Sequence, residues 1–571
     1  MNDAVKGRND LLAWENNKPD NFFTSDSNLQ HVLRYYLGDA EYMKAQQSLE
    51  SLGSSAATTL DKWAKVEDRI ANHPRLERWS DLGERIEEIE FHPNHDKAGQ
   101  IIWDSGILQV QGEAGSAVHQ MALYYLITQN GEAGHLCSIA CTSGLIRALQ
   151  QVADENVKAK FLPPLLNPDF ETMQHGAQFL TEVQGGSDVG TNAVTAVRDE
   201  DGTWRISGEK WFCSNINADQ FLLTARATNQ DGTKGLGLFV VPRKLDDGAT
   251  NGFYIRRLKD KLGTRTLASA EVDFQNAVAY AVGAVEEGFK NVVSLVLNTS
   301  RLMNAIACAG AMRRVAIEAG TYACHREAFG SPIASYPLVQ EAIADMMSAY
   351  YGATASGFYL AHLLDKIETD KASEADEKTY RMLVNINKYI TSIDGTHIVH
   401  RGIEVLGGNG AIESFSILPR LYRDMIVLES WEGTHNVLCM QVMRDITRYQ
   451  VHEAFIQAMR LQLEKVTEPN LSELVKIVEA ALERMGTILV QMQQRGTTYA
   501  QAHARRFVDL ASYTAQAALL LSEAQWEQEN DLGTVKPDVA AYFINQHLLP
   551  GYDPMLDEGY TARLERLMTA N

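Results

Sequence analysis

The stretch GAQFLTEVQGGSDVGTNAVTAVRDEDGTWRISGEKWFCS, residues 176–214, decides how the rest of the chain is read. GAQFLTE is short and apolar, the texture of a buried strand. Asp201-Gly202 stands between two alternating runs, a strong hairpin signal, because a tight turn needs left-handed backbone that glycine adopts without strain. Further strand-like runs follow, QFLLTARAT, LGLFVVPR and SAEVDF, separated by turns rich in Gly and Asp. The chain from Gly176 to about Val282 therefore predicts a compact antiparallel β unit.

Both flanks read as helix. Upstream, Val118, Met121, Leu123, Tyr124, Tyr125 and Leu126 form an apolar run, and Pro163, Pro164 and Pro168 close the region before the texture changes. Downstream, Phe289–Arg326, Leu338–Ile367, Arg381–Val405 and Val427–Tyr449 are long helical runs, which suggests a bundle. Beyond Tyr449, Leu471, Leu474, Val475, Val478, Leu482, Met485 and Leu489 share one helical face. The textures divide the chain into an N-terminal extension (1–55) lying over the main body, a helical domain (56–175), the β domain (176–283), a helical bundle (284–450) and a helical extension (451–571).

The 571 residues are 45% hydrophobic and 22% charged, ordinary for a globular protein. A formal charge of -21 argues against a surface that as a whole seeks nucleic acid or anionic membrane. Apolar stretches such as Ala517–Leu521 fall far short of a membrane span, and MNDAVKGRND lacks the apolar core of a secretory signal. The six cysteines include one close pair, Cys137 and Cys141, with no partner pair at zinc spacing. They read as free thiols in a reducing cytosol, which predicts a cytoplasmic protein without a metal.

Four stretches carry chemistry. In TEVQGGSD, paired glycines let backbone N–H groups approach an anion or a flat ring, although a plain Gly-rich turn has the same composition. In KWFCS, Trp211 and Phe212 offer aromatic surface and Ser214 a hydroxyl, or else a core pair and a turn serine. In CHREAFGSPI, Arg326 and Phe329 offer a cation and a ring ahead of a turn, or else a frayed helix end. Last come GGNG and the segment ending WEGT. A glutamate there, desolvated beside an aromatic ring, would suit a general base. Spacing alone does not choose among Glu413, Glu429 and Glu432.

Taken together and in this order, TE..GGSD, KWF.S, R..FG, GGNG and WEGT resemble the acyl-CoA dehydrogenase flavoprotein family, from about residue 90 to about residue 448. Val183-Gln184, Phe212, the N-terminal extension, FHPNHD at Phe91–Asp96 and the long C-terminal helical region are most similar to its AidB-like, alkylation-response branch. The resemblance implies an α+β, mostly α fold: an N-terminal helical domain, a middle antiparallel β domain and a C-terminal four-helix bundle with an extension. It implies FAD as cofactor and α,β-dehydrogenation of an acyl-CoA thioester, with Glu432 as the base. Leu180, Thr181, Gly186 and Ser187 match the flavin loop, and Phe212 and Ser214 the wall against the ring. Thr434 and Asn436 match further flavin contacts. Arg326, Phe329, Glu404 and Gly408 match the groups that hold the ADP half across a subunit interface. Glu404 stands where many members carry Gln, which replaces an amide donor with an acceptor. Arg301, with Ser187, matches the substrate side. The resemblance also implies a homotetramer, a dimer of dimers, and an electron acceptor that the residues leave unnamed. The AidB-like branch brings an alternative, a DNA-associated protective flavoprotein with little turnover. Residues 451–571 hold ten basic and sixteen acidic residues, which disfavours DNA there.

Overall fold

The computed structural model describes residues 3–533 and 535–570; residues 1, 2, 534 and 571, which fall in the expected terminal segments, lie outside the described residues. Helices α1 (Asp3–Asn16), α2 (Ser27–Ser55) and α3 (Asp61–Glu67) lead to strands β1 (Arg75–Trp79) and β2 (Arg85–Glu90). Helices α4 (Asn94–Asp104), α5 (Ala117–Thr128), α6 (Ala133–Val152) and α7 (Glu155–Leu165) follow. Next come strands β3 (Gly176–Phe179), β4 (Thr195–Arg198), β5 (Trp204–Ser214), β6 (Gln220–Arg226), β7 (Leu236–Pro242), β8 (Phe253–Leu258) and β9 (Ser269–Ala281). After α8 (Gly288–Asn291) and α9 (Asn298–His325), a small hairpin pairs β10 (Glu327–Ala328) with β11 (Ser331–Pro332). Helices α10 (Pro337–Glu368), α11 (Glu374–Leu406), α12 (Leu418–Ser430) and α13 (His435–Tyr449) come next. The C-terminal region holds α14 (Val451–Leu463), α15 (Ser472–Arg495), α16 (Thr497–Glu529), α17 (Lys536–His547) and α18 (Tyr560–Thr569).

These elements form two compact units that alternate along the sequence. One takes Leu60–Glu113 and Glu132–Met303; the other takes the chain up to Thr59, Ala114–Gly131 and everything from Asn304 onward.

The first unit is built on a seven-stranded sheet. The Asp201-Gly202 turn forms as expected: β4 and β5 pair antiparallel up to Arg198 opposite Trp204, and Gly202 has φ +88. Two pairings depart from the antiparallel expectation: β4 meets β6 in parallel at Thr195 opposite Arg226, and β3 does so over its whole length. Strand β3 runs parallel to β6, from Gly176 opposite Gln220 to Phe179 opposite Leu223. The chain leaving β3 does not fold back in a hairpin; it passes through a long loop and the β4–β5 hairpin first, and such a crossover suits a parallel neighbour. Phe179, Phe221, Phe239, Phe253, Val272 and Phe274 are buried at the core. A second correction concerns β1 and β2, which lie in a segment expected to be helical. RLERW and RIEEIE carry few apolar residues, so periodicity barely marks them. Leu76 and Ile89 pack against the sheet core, and Arg85 donates to the Asn251 carbonyl at 3.1 Å. Tertiary docking makes this hairpin, as expected for strands with little intrinsic signal.

The second unit is helical. Helix α11 opens on a capping box between Ser373 and Asp376, and α10 opens with Pro337 in its first turn. The N-terminal residues do more than lie over the body: Trp14, Phe22, Phe23 and Leu33 are buried, and Trp14 stacks on Phe415 at 5.0 Å. The run Val427–Tyr449, expected as one helix, is two. It breaks at Glu432 and Gly433, with φ +57 and +103. The helical run Val285–His325 is long and apolar enough to cross a membrane, contrary to the expectation that apolar stretches are too short. Its most apolar window is 78% buried inside the protein, the condition of a core helix.

Candidate functional site

In the sheet unit, Leu180, Thr181, Gly186 and Ser187 lie on the loop that leaves β3. Two anchors on β5 hold it. The Thr181 carbonyl accepts the Trp211 N–H at 2.9 Å. Lys210, fully buried, donates to the Leu180 carbonyl at 3.2 Å and to the Glu182 carboxylate at 2.8 Å. Glu182 in turn accepts the Ala193 and Val194 N–H groups at 2.6 and 3.2 Å. Burial pulls the Lys210 ammonium down from its usual range, and Glu182 opposes that shift. A Cβ on Gly185 would come within 2.4 Å of the Thr191 hydroxyl and 2.5 Å of the Asp188 carbonyl, so only glycine closes the turn. Gly186 and Ser187 are exposed at its tip.

Beside this loop on β5, Phe212 is 51% exposed on a strand whose inward residues are buried. The Ser214 hydroxyl is 2.9 Å from that of Ser269. Lys259 stands 3.5 Å over the Trp211 ring centroid and 4.8 Å from that of Phe212, tied to Glu271 at 2.9 Å. Arg301 is buried at the start of α9, with Nη1 3.4 Å from Asn298 Oδ1. Exposed glycine and serine groups next to an exposed ring suit a flat heteroaromatic ligand with acceptor edges.

In the helical unit, geometry separates the three glutamates. Glu413 is exposed and paired with Arg423 at 3.0 Å. Glu429, in the last turn of α12, accepts the Thr396 hydroxyl and lies 3.6 Å from His435. Glu432 is half-buried and occupies the left-handed turn between α12 and α13. Lys388 of α11, fully buried, donates to the Glu429 carbonyl at 3.0 Å and to the Gly433 carbonyl at 2.9 Å. The Trp431 indole N–H donates to Asn304 Oδ1. Thr434 and Asn436 are exposed at the start of α13. Arg505 of α16, itself exposed, donates to Asn436 Oδ1 at 3.1 Å.

The remaining candidates also belong to this unit. Phe329 is 98% exposed at φ +53, followed by Gly330 at φ +92, in the tight turn joining β10 to β11. The Arg326 guanidinium lies 3.7 Å from Asp10 of α1. Glu404 is exposed and paired with Arg401 at 3.0 Å. Gly408 is exposed, and a Cβ there would meet nothing within 4 Å. The glycine requirement falls instead on Gly407, with φ +60, and Gly410, where a Cβ would come within 2.5 Å of the Ile403 carbonyl.

Motif reading missed Glu182, Lys210 and Lys388. Their signal was present: a lysine inside an apolar strand or helix face needs buried partners. It also passed over Glu67, His95 and Glu132, buried residues whose ligand-type atoms lie within 4.8 Å of one another. The Glu132 carboxylate caps α6. It accepts the Gly134 and His135 N–H groups at 2.7 and 2.8 Å and the Thr266 hydroxyl at 2.8 Å. The His95 ring stacks on Phe91 and on His135, at 4.0 Å each. Burial lowers both histidines from the usual imidazole range, His135 to about 4, and the Glu132 carboxylate opposes the shift.

Comparison with known proteins agrees across the chain. Residues 14–172 match the adaptive response protein AidB N-terminal domain, and residues 177–277 match the acyl-CoA dehydrogenase middle domain. Residues 286–447 match the acyl-CoA dehydrogenase C-terminal domain, and residues 450–558 an acyl-CoA dehydrogenase 11 C-terminal domain-like model. Acyl-CoA dehydrogenase family member 11 of Caenorhabditis elegans is 30% identical over 528 residues, 88% of this chain and 84% of that protein. The putative acyl-CoA dehydrogenase AidB of Escherichia coli (strain K12) is 32% identical over 426 residues, 72% of this chain and 75% of that one. The crystal structure of C. elegans ACDH-11 in complex with C11-CoA superposes with a TM-score of 0.86 at 26% identity, covering 95% of this chain and 94% of that one.

Proposed function

The chain belongs to the acyl-CoA dehydrogenase family of FAD-dependent oxidoreductases, and from that premise we propose that it converts an acyl-CoA thioester to the trans-2-enoyl-CoA with Glu432 as the base. The observation that carries this reading is the turn at Glu432. A non-glycine residue at φ +57 between two helices is a costly conformation, on the order of 1–3 kcal/mol, kept only where its surroundings over-determine it. Here Lys388 binds a carbonyl on each side, and Trp431 is tied to Asn304.

The residues fit FAD. Exposed Phe212, Ser214 and the tip at Gly186 and Ser187 suit the flavin ring and pyrophosphate, with Leu180 and Thr181 fixed by β5. Thr434 and Asn436 would add contacts after the turn. The exposed Phe329 ring, Arg326, Glu404 and Gly408 suit the ADP half. When bound, FAD supplies the acceptor for the hydride leaving Cβ. Glu432 takes the α-proton on its carboxylate. Its backbone N–H polarises the thioester carbonyl, which makes that proton removable. Trp431, next to it in sequence, would help to keep water from the reacting atoms. Arg301 and Ser187 serve the thioester and CoA side.

The ACDH-11 complex with C11-CoA favours an acyl chain of comparable length. Almost complete exposure of Phe329 supports a homotetramer in which this hairpin reaches a neighbouring subunit. Six free cysteines, five of them buried, support a cytoplasmic location. The test is anaerobic: a panel of acyl-CoAs is mixed with the flavin-loaded protein and bleaching of the flavin is followed. At least one acyl-CoA bleaches the parent protein, and Glu432→Gln binds it without bleaching; bleaching at the parent rate by Glu432→Gln removes the assignment. A DNA-associated role is the second reading, favoured by the AidB N-terminal match. A salt-dependent gel shift with duplex DNA tests it.

A further inference from the structure

We propose that Lys388 is a positioning residue: it sets the main-chain geometry of the turn that presents Glu432, and through it the rate of proton abstraction. This rests on the reading of Glu432 as the base. Lys388 sits in the middle of α11, and its side chain is fully buried. Its two bonds, at 3.0 and 2.9 Å, go to the carbonyls of Glu429 and Gly433. Those carbonyls bracket the break between α12 and α13. Glu429 lies in the last turn of α12, where carbonyls lack helical partners. The Gly433 carbonyl lies just after the positive-φ pair Glu432 and Gly433.

One ammonium therefore ties both ends of a five-residue turn to a third helix. A lysine is suited to the task because its three donors leave a single point and can diverge to two acceptors. Burying it is costly unless the acceptors are well placed, so the conformation of the turn and the position of the ammonium stabilise each other. Neighbouring contacts brace the same place. The Ser392 hydroxyl, one turn along α11, lies 3.5 Å from His435, and His435 lies 3.6 Å from Glu429. On the next residue of α11, the Tyr389 hydroxyl donates to Asp509 of α16 at 2.6 Å, so the C-terminal region holds the helix from which Lys388 reaches.

The experiment compares the full-length, flavin-loaded parent with Lys388→Met, which keeps the stem and removes the donors, and with Lys388→Gln, which keeps one amide donor group. Amide hydrogen exchange is read on peptides covering residues 430–436 and, separately, along α11, together with FAD content, acyl-CoA affinity and the anaerobic flavin-reduction rate. In Lys388→Met, exchange at 430–436 rises about 10-fold or more while α11 away from the site keeps its protection. FAD content holds, acyl-CoA affinity changes by less than about threefold, and flavin reduction falls about 10- to 100-fold, as expected for misplacement without loss of the base. Lys388→Gln lies between the two.

Unchanged exchange at 430–436 overturns the proposal. So does a rise spread evenly along α11 with a matching loss of thermal stability, which would make Lys388 an ordinary core residue. Should Lys388→Met not fold, Lys388→Gln decides by the same exchange readout, and failure of both to fold also assigns Lys388 to the core. If Glu432 is not the base, Glu432→Gln bleaches at the parent rate while the exchange result for Lys388 stands, so the two claims fail separately.

Discussion

Two loops in this molecule are each held by a fully buried lysine, and they are held differently. In the sheet unit, Lys210 is joined to the Glu182 carboxylate and to one carbonyl. In the helical unit, Lys388 reaches two main-chain carbonyls, on either side of Glu432. In the first loop a glutamate side chain is part of the anchor: it neutralises the lysine and also gathers the Ala193 and Val194 amides. In the second, main-chain carbonyls on both sides of the turn take part in the anchor. An anchor made of side chains ties residue identity to stability. An anchor made of backbone lets a residue in the turn be chosen for chemistry, which suits a catalytic carboxylate at Glu432 and a purely binding loop at Gly186 and Ser187.

The sharpest test of this contrast is at Glu432 itself. Glu432→Gln keeps shape and backbone anchor, so unfolding stability changes by less than about 1 kcal/mol. Flavin reduction by an active acyl-CoA falls on the order of 10²–10⁴-fold, for loss of the base. Urea unfolding and anaerobic stopped-flow give the two numbers. A variant that loses both stability and rate would erase the difference between the loops.

The matching substitution in the sheet unit has the opposite profile. Glu182→Gln leaves Lys210 buried beside a neutral amide and frees the Ala193 end of the loop. Loss of one partner of a buried pair costs about 3–5 kcal/mol, read as a lower midpoint in urea. Adding Lys210→Met recovers much of it, because the stranded charge is gone. A Glu182→Gln protein of parental stability would show that the loop does not need its ion pair.

A pH test probes the support of the helical loop. Asp394 of α11 is half-buried and its carboxyl is pushed up to about 7, chiefly by desolvation; the Tyr513 hydroxyl at 3.2 Å opposes the shift and Asp509 adds to it. Because the folded value lies above the unfolded one, this group's stabilising contribution is complete below about pH 4 and is lost as pH rises through 7. Asp394→Asn, which still accepts from Tyr513, flattens that slope. It raises stability at pH 8 by on the order of 1–3 kcal/mol relative to the parent, measured by urea unfolding at pH 5 and pH 8. An unchanged slope would place the titrating group elsewhere.

The smallest expected effect is at Phe212. The ring is half exposed and contributes little to the core, so Phe212→Leu leaves the melting temperature within a degree or two. FAD affinity falls by roughly 3- to 10-fold, the value of one aromatic contact at about 0.5–1.5 kcal/mol. Equilibrium titration of the apoprotein with FAD reads it directly. A drop in melting temperature without a change in affinity would return Phe212 to the role of a core residue.

Much of this molecule was legible in its residues. The Asp201-Gly202 turn, the alternating strands around it and the helical runs on both sides specify their own local geometry, because hairpin turns and amphipathic periods are short-range physics. The order of the motifs placed the chain in its family and named Leu180, Gly186, Phe212, Phe329 and Glu432 as candidates. Other features were set at long range. The β1–β2 hairpin is made by docking Leu76 and Ile89 on a sheet more than eighty residues away in sequence, and β3 finds its parallel partner only after a crossover. Glu413, Glu429 and Glu432 are alike in composition and close in sequence. What separates them is an arginine beside one, a threonine and a histidine beside the next, and a left-handed turn under the third. Lys210 and Lys388 read as lysines in apolar surroundings, and only the fold supplies the carboxylate and carbonyls that make each burial tolerable. Local pattern fixes which backbone a segment prefers; partners for buried charge come from segments distant in sequence, and those are chosen when the chain packs.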